Sequence, residues 1–319
     1  MKAYLLNIAC AFVTGAAFLD AEPLRPEDVS TAPLWFAHVN LDDVELGDTS
    51  HSLAGGEALG QLLKLRKLLI EAHSVKLESI HGITVFGADL AGKETCFLFR
   101  GDFKGVRLGD PIGTFPMNKG QDEITHSLHR GPQWLGEGWY LCQESTGAIV
   151  GANSLSALKG LILNRGQMKN MDAPDRVKIT ATQQDIREST AVLFFNVAAI
   201  HREFGMESNL CGALASVLVL ITQHDTGDVT GKLILEAKDA EEMKVITSEV
   251  NLLLSIVRAH ENAAVSKAQA EGSVIFACWS KVESIVEPTR YCLVLRGEPA
   301  EIAGSLQALK KLFPQKGEK

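Results

Sequence analysis

The stretch Ser154-Leu-Ser-Ala-Leu-Lys-Gly-Leu161 occurs a second time in this chain, as Ser305-Leu-Gln-Ala-Leu-Lys-Lys-Leu312. Six of the eight positions are identical, and each copy follows residues that are typical of β-strands. Upstream of each copy, Leu34-Trp-Phe-Ala-His-Val39 is similar to Val192-Leu-Phe-Phe-Asn-Val197 in length and apolar content. Such self-similarity indicates an internal duplication. The sequence therefore predicts two similar halves.

The order of elements in the first half predicts the fold class. The apolar residues of segment 57–73 are spaced by four and three, which favours a helix with one buried stripe. A segment broken by glycine and proline, residues 105–116, lies among apolar runs with strand character. We expect the strands of this half near residues 83–88, 95–100, 123–129, 139–143 and 148–151.

The second half contains a hairpin at residues 216–222 and 231–236, followed by a long helix from Asp239 to about residue 270. Asp239 and Glu242 have the spacing of a capping box. The predicted apolar seam of this helix consists of Met243, Ile246, Val250, Leu253, Val257, His260 and Ala264. Such a seam favours a helix lying on a sheet, and a coiled coil between subunits is the alternative. Closing strands are expected near residues 281–286 and 290–295.

These patterns predict an α+β fold of two similar halves, each a mainly antiparallel sheet with helices packed on one side. Residues 30–165 form the first repeat and residues 189–314 form the second. Residues 166–188 connect the two repeats, residues 1–21 form a signal peptide, and residues 315–319 form a tail.

The composition excludes some classes of protein. The 319 residues are 46% hydrophobic, which is too apolar for a disordered chain. The net charge of −8 argues against a nucleic-acid partner, because nucleic-acid-binding proteins concentrate basic residues. The chain is long enough to bury one large core or two ordinary ones.

The N-terminus has the pattern of a secretory signal. Lys2 supplies a positive charge, and residues 3–19 contain no charged residue. Ala21 is a small residue of the kind that precedes a cleavage site, so a mature chain from Glu22 is expected. We expect an exported protein, periplasmic or attached to the cell envelope, with no membrane span after signal removal. The alternative is an N-terminal anchor that is retained in the membrane.

The cysteines show no metal or redox spacing. The five outside the signal peptide are Cys96, Cys142, Cys211, Cys278 and Cys292. None forms a CxxC pair, so buried free thiols are expected. One disulfide among them is the alternative, and the sequence leaves its pairing open.

The chain resembles a group of exported tandem α+β proteins of planctomycetes and verrucomicrobia. The likeness lies in the strand Trp35-Phe-Ala-His-Val-Asn-Leu-Asp-Asp-Val44, a glycine-rich helix start and a hairpin, repeated once behind a signal peptide. The resemblance implies the same tandem fold and export. It implies no activity and assigns no functional residues.

Two short motifs imitate catalytic signatures but lack their requirements. Residues 87–95 nearly form a phosphate-binding loop, but Glu94 stands where that loop needs Ser or Thr, and a strand follows instead of a helix. Asp225-Thr-Gly227 copies the triplet of aspartic proteases, which need a second such triplet that the first half lacks. Both are predicted to be hairpin turns.

His38, Asn40 and Asp42 form the most site-like polar cluster in the sequence. Alternation along a strand places these side chains on one face of the sheet. They are the candidate catalytic residues of a hydrolase or a metal-dependent enzyme. The favoured interpretation is a strand that ends in a solvated acidic loop.

His126 and His129 are candidate metal ligands, with Asp122 and Glu123 nearby. On a strand the two histidines would point to opposite faces and could not chelate together. On a helix they would share a face. We favour the strand, and we expect no cofactor.

The leading function hypothesis is an exported, non-enzymatic binding protein that recognises an unknown protein or envelope component. An enzyme with a site near His38 is the second hypothesis. A self-assembling structural protein that uses the Met243–Ala264 seam is the third.

Overall fold

The computed structural model describes residues 24, 29, 33–40, 80–87, 94–119, 122–131, 138–144, 147–168, 185–186, 188–204, 208–224, 226–270, 279–298 and 301–302. Within these ranges the strands form one antiparallel sheet. They are β1 (Trp35–Asn40), β2 (Ile80–Gly87), β3 (Thr95–Gly101), β4 (Pro111–Lys119), β5 (Asp122–Arg130), β6 (Tyr140–Gln143), β7 (Ala148–Ala152), β8 (Ala191–Phe195), β9 (Leu214–Gln223), β10 (Val229–Ala237), β11 (Glu283–Val286) and β12 (Arg290–Gly297). The described helices are α1 (Leu155–Met168), α2 (Val197–Phe204), α3 (Asn209–Ala213) and α4 (Ala240–Ala270).

The spatial order of the strands is β11-β12-β10-β9-β8-β1-β2-β3-β7-β6-β5-β4. β1 and β8 are neighbours in the middle of this order, and five residue pairs join them, from Trp35 opposite Phe195 to Val39 opposite Ala191. The strands that precede residue 160 and those that follow residue 190 therefore belong to one continuous sheet. The molecule is a mixed α/β protein with a large antiparallel sheet and few helices.

The described helices lie on both faces of the sheet. Leu158 of α1 packs in a cluster with Phe36, Leu98 and Ile234, and we call this side of the sheet the α1 face. Met243 of α4 packs with Leu235, Tyr291 and their neighbours on the opposite side, which we call the α4 face. Ile234 and Leu235, successive residues of β10, thus point to opposite faces of the sheet, as strand alternation requires. Among the described helices, α1 lies on the α1 face, whereas Val197 of α2, Ala213 of α3 and Met243 of α4 all belong to the cluster on the α4 face. One helical side was predicted for each half separately, and this stays a prediction.

Helix α4 begins where the sequence predicts. The carboxylate of Asp239 accepts hydrogen bonds from the backbone N–H groups of Glu241 and Glu242, both at 2.9 Å, and so caps the helix. Its negative charge also favours the N-terminal end of the helix dipole. The interpretation of a helix lying on a sheet is confirmed.

The register of the α4 seam differs from the prediction. Four residues of the predicted seam are buried, as expected: Met243, Ile246, Val250 and Val257. The other three, Leu253, His260 and Ala264, are exposed. The correction is that Leu254 and Glu261 are buried in place of Leu253 and His260, and that Ala264 is exposed. A straight helix repeats every 3.6 residues, so a seam spaced for a heptad drifts around it. The N-terminal part of the predicted seam, Met243, Ile246 and Val250, therefore packs against the sheet of the same chain.

Strand β4 corrects the interpretation of residues 105–116 as a broken segment. Residues Pro111–Lys119 pair with β5, with a register shift between Pro111 and Gly113. Proline lacks a backbone N–H and is tolerated mainly in edge strands. β4 is the last strand of the described sheet, which accommodates both Pro111 and Pro116.

Several predicted elements lie outside the described residues. They are the signal peptide, the helix over residues 57–73, most of the connection at 166–188 and the second copy of the eight-residue repeat. The first copy of that repeat forms the N-terminal part of α1. In the described part of the chain, no helix is both long enough and apolar enough to cross a bilayer.

Candidate functional site

The predicted polar residues of β1 lie side by side on the α1 face. His38 and Asn40 alternate with Phe36 along the strand, so all three side chains point to the same side of the sheet. His38 is 1% exposed and Asn40 is fully buried. Asp42, the third residue of this predicted cluster, lies outside the described residues.

Two further polar residues from neighbouring strands, and Thr190 directly before β8, lie near them. Thr84 on β2 is directly opposite His38, and its Oγ1 lies 2.9 Å from Nδ1 of that ring. Arg100 on β3 is opposite Gly82, which is itself opposite Asn40. We call His38, Asn40, Thr84, Arg100 and Thr190 the polar cluster.

Thr190 links the polar cluster on β1 to the end of β9. Its carbonyl oxygen accepts a hydrogen bond of 2.9 Å from the backbone N–H of Asn40. Its hydroxyl accepts a second bond of 3.2 Å from the N–H of Gln223, at the end of β9. Because a buried polar group is costly unless it is hydrogen-bonded, these contacts hold the ends of three strands in register.

The burial of the polar cluster limits what it can do chemically. The exposed fractions of Thr84, Arg100 and Thr190 are 1%, 7% and 4%. A hydrolytic site must admit a substrate and a water molecule to its general base. The described arrangement instead has the character of a buried polar network, which fixes a unique packing of strands.

The two candidate metal ligands on β5 point to opposite faces, as predicted for a strand. His126 is buried on the α1 face, where its Nδ1 lies 3.7 Å from Sγ of Cys142. Nδ1 of His129 instead lies 3.0 Å from the carbonyl oxygen of Gly109, to which it donates. The two rings therefore cannot chelate one ion. Across the described residues, no three side chains of His, Cys, Asp or Glu converge as metal ligands would.

The contact between Cys142 and His126 resembles the pair of a cysteine nucleophile and its base, but its electrostatics oppose that role. Burial, with a smaller contribution from the charge of Glu144, raises the pKa of the Cys142 thiol to about 12. A nucleophilic cysteine needs a lowered pKa, since the thiolate is the reactive form. Cys142 is thus held as a thiol, which can donate its proton to the histidine nitrogen.

The remaining described cysteines are also free. Cys96, Cys211 and Cys292 carry no disulfide, and neither does Cys142, whereas Cys278 lies outside the described residues. Burial raises the pKa of the Cys96 thiol to about 12, with Glu94 adding to the effect. All four described cysteines are free as predicted, but only Cys96 and Cys142 are buried, whereas Cys211 and Cys292 are half-buried.

Both catalytic look-alikes fall in hairpins. Gly87 pairs with Thr95 at the end of β2 and β3, so residues 88–94 connect two antiparallel strands. The second motif connects β9 to β10, where the N–H of Gly227 donates to the carbonyl of His224. Gly227 has a φ of 86°, which suits glycine in a tight turn. Asp225 itself lies outside the described residues.

A polar anchor in the C-terminal part of α4 was not predicted from the sequence. Both carboxylate oxygens of Glu261 accept backbone N–H bonds of 2.9 Å, one from Trp279 and one from Ser280. Arg258 donates to the carbonyl oxygens of Trp279 and Val282 at 3.1 and 2.8 Å. Their spacing of three residues places both side chains on one helix side, but the sequence does not show what they contact.

Comparison with known proteins yields no relative. No protein-family model matches the chain, and neither the curated proteins nor the solved structures include a significant match.

Proposed function

We propose that this chain is an exported, non-enzymatic binding protein that attaches to a protein or another component of the cell envelope. One contrast carries the proposal. His38 and Asn40, the residues best suited to chemistry, are at most 1% exposed, whereas Ile285 and Val286 on β11 are each 53% exposed. Exposed apolar side chains along an unpaired strand edge are available for contact with an added strand of a partner.

The position of β11 supports a binding role. All four of its residues are exposed, and it is the last strand of the described sheet on the side opposite β4. An extended segment of a partner can add to such an edge through backbone hydrogen bonds, with alternate side chains giving specificity. We call Ile285 and Val286 the β11 patch, in which the two side chains point to opposite faces of the edge strand, and propose this edge as the contact.

Export is proposed from the N-terminal pattern of Lys2, the uncharged segment of residues 3–19 and Ala21. The resemblance to exported planctomycete and verrucomicrobial proteins agrees with it. Sequencing the N-terminus of the protein from fractionated native cells tests this step. We expect the chain to begin at Glu22 in the periplasmic or envelope fraction, and an intact Met1 in the membrane would contradict it.

We further propose that the binding scaffold is an internally duplicated one. Two series of strands, β1-β2-β3-β7-β6 and β8-β9-β10-β12-β11, run outward in the same order from the central β1–β8 pair. This symmetry of order supports the duplication that the repeated octapeptide suggests. The insertions differ, because β4 and β5 precede β6 whereas α4 precedes β11.

The proposal is tested first by searching for turnover. The purified protein is screened against esters, peptides, glycosides and phosphate esters, with and without divalent metals, beside the variant His38→Ala. We expect that no activity of the wild-type protein depends on His38, so that His38→Ala abolishes no turnover. Turnover that His38→Ala abolishes while the melting temperature is preserved would establish an enzyme and contradict the proposal.

The second test concerns the β11 patch. Photo-cross-linking from an unnatural amino acid at Ser284 in native cells should yield a reproducible adduct with one envelope component. The double variant Ile285→Ser/Val286→Ser should lose this adduct, while Ile112→Ser, an equally exposed change on β4, should retain it. An adduct that survives the double variant would remove the β11 patch from the proposal.

A further inference from the structure

Strand β11 presents backbone hydrogen-bonding groups at the outer edge of the sheet. Glu287 and Arg290 exchange both of their backbone hydrogen bonds, at 2.7 Å from the N–H of Glu287 and at 3.4 Å from that of Arg290. In an antiparallel pair, residues bonded in this way alternate with residues whose N–H and C=O groups point away from the neighbouring strand. Following the register from Glu287, the residues that point away from β12 are Ser284 and Val286. We call this outward row of groups the β11 edge.

The side chains of β11 divide between the two faces of the sheet. Ile285 is opposite Cys292, which packs on the α1 face. Glu283 lies two residues before Ile285 and therefore points to the same face. Val286 is opposite Tyr291 on the α4 face. All four residues of β11 are exposed, so an added strand would meet an acidic and an apolar side chain on the α1 face and a further apolar one on the α4 face.

Glu283 and Ile285 occupy the positions at which the side chains of an added strand come closest. Their own N–H and C=O groups point to β12, so they would form the non-hydrogen-bonded pairs with the added strand. Opposite Cα atoms in such pairs are about 4.5 Å apart. Cross-strand pairs of apolar or oppositely charged side chains are favourable at this distance, whereas like charges are unfavourable. These two residues therefore select the partner's side chains.

Glu283 carries a charge that the described part of the chain does not neutralise, since it forms no ion pair there. The cations beside β11 already have partners. Lys281, two residues before Glu283, pairs with Glu301 at 3.2 Å. Arg290, beyond the turn to β12, pairs with Glu287 at 3.9 Å. A basic residue of a partner strand would thus complement Glu283.

A second copy of β11 fits the β11 edge poorly in each antiparallel register that bonds the outward groups. A twofold axis at Ile285 places Glu283 opposite Glu287 of the other copy, and like charges directly opposite each other are unfavourable. An axis one residue earlier places Glu283 against Ile285. An axis one residue later places Ser284 opposite Pro288, which has no N–H to donate. The edge therefore favours a different chain as its occupant.

We propose that the β11 edge binds an extended segment of its partner that reads, from the N- to the C-terminus, apolar, apolar, any residue, basic. In antiparallel pairing, the arrangement of the neighbouring strands, these positions lie opposite Val286, Ile285, Ser284 and Glu283, in that order. A lysine or arginine then faces the carboxylate of Glu283, and an aliphatic side chain contacts Ile285. The inference rests on the proposed binding function and names the chemistry of the partner.

Fluorescence anisotropy of a labelled peptide, mixed with the purified protein, tests this chemistry. The peptide Thr-Val-Ile-Ser-Lys-Thr contains the proposed pattern. Because few groups come into contact, we expect a dissociation constant of about 0.1 to 1 mM. The reversed peptide, Thr-Lys-Ser-Ile-Val-Thr, has the same composition but places its lysine opposite Val286 and an apolar residue opposite Glu283. It should bind at least about fivefold more weakly.

Methylation of single peptide nitrogens distinguishes strand addition from contact through side chains alone. The N–H of the peptide's serine faces Ser284 in the proposed register, so its methylation should weaken binding by at least about tenfold. The N–H of the peptide's isoleucine points away from β11. Its methylation is the matched control and should change the affinity by less than about twofold.

A charge exchange tests the pairing with Glu283. Glu283→Lys should weaken the binding of the lysine peptide by roughly threefold to tenfold at low salt. A peptide with glutamate in place of lysine should bind this variant more tightly than it binds the wild type. The control Asp110→Lys makes the same charge reversal at an exposed residue next to β4, at the other end of the sheet, and should leave both affinities unchanged.

The proposed chemistry is overturned by an absence of peptide binding, by equal binding of the two peptide directions, by binding that survives methylation of the serine nitrogen, or by an unchanged affinity in Glu283→Lys. The cross-link from Ser284 in native cells separates this outcome from the proposed function. A reproducible adduct without peptide binding overturns only the partner chemistry. A missing adduct overturns the binding function at this edge.

Discussion

Phe36 of β1 and Phe194 of β8 are directly opposite each other in the sheet, and their rings stack with centroids 5.2 Å apart and an angle of 18° between their planes. The two residues are also equivalent when the segments that begin at Leu34 and Val192 are aligned. A twofold axis that relates two halves of a duplicated chain would pass between such a pair. The stacking therefore lies at the centre of the proposed duplication.

Replacing Phe194 by Ala should destabilise the protein by about 3 to 5 kcal/mol, because it leaves a cavity in the core where β1 pairs with β8. The double variant Phe36→Ala/Phe194→Ala should cost less than the sum of the two single changes, by about 0.5 to 1.5 kcal/mol of ring–ring interaction. Urea unfolding monitored by circular dichroism measures these values. Additive costs would mean that the rings merely fill space next to each other.

The two buried thiols predict a loss of stability at alkaline pH. The pKa of Cys96 and of Cys142 is raised to about 12 in the folded protein, so both stay protonated there after the thiols of the unfolded chain ionise. The unfolded chain then binds fewer protons than the folded one, and the free energy of unfolding falls. The contribution is complete below about pH 8.5 and is lost as the pH rises toward about 12.

This pH dependence can be isolated with the variant Cys96→Val, which removes one thiol and keeps an apolar side chain of similar size. The stability of the variant should decline less steeply than that of the wild type between pH 8.5 and pH 11. Val150→Ala, a buried change that removes no titratable group, should leave the slope unchanged. Equal slopes for Cys96→Val and the wild type would show that the Cys96 thiol ionises as readily in the folded protein as in the unfolded chain.

Local pattern predicted most strands and the long helix, because each depends on alternation or helical periodicity within a few residues. It failed where the outcome depended on distant contacts. β4 forms despite its prolines because β5 pairs with it, and α4 buries Leu254 in place of Leu253 because a straight helix keeps its natural period of 3.6 residues.

The candidate site shows the same division between local and distant information. Alternation placed His38 and Asn40 on one face, but their neighbours Thr84 and Arg100 are 46 and 60 residues further along the chain (84 − 38 and 100 − 40). Only the register of β1, β2 and β3 brings these residues together. The contact between His126 and Cys142 likewise depends on the pairing of β5 with β6, which no periodicity in the sequence specifies.

Glu261 should be important for attaching α4 to the segment that precedes β11. Glu261→Ala leaves the N–H groups of Trp279 and Ser280 without their carboxylate acceptor, and we expect a cost of about 1 to 3 kcal/mol. Glu241→Ala is the matched control, since Glu241 forms an exposed pair with Lys244 and should cost no more than about 1 kcal/mol. Urea unfolding compares the two variants, and equal costs would show that the anchor contributes nothing special.

Thr84 distinguishes a structural polar cluster from a catalytic one. Thr84→Val keeps the shape of the side chain but removes the hydroxyl 2.9 Å from His38 Nδ1, which leaves a buried ring nitrogen without that partner. We expect a loss of about 1 to 3 kcal/mol in the free energy of unfolding. Thr226→Val, in the exposed β9–β10 turn, should change it by less than about 0.5 kcal/mol. Substitutions in an active site often raise stability, because they relieve strain that the function requires. If Thr84→Val were as stable as the wild type, or more stable, His38 would again be a candidate catalytic residue.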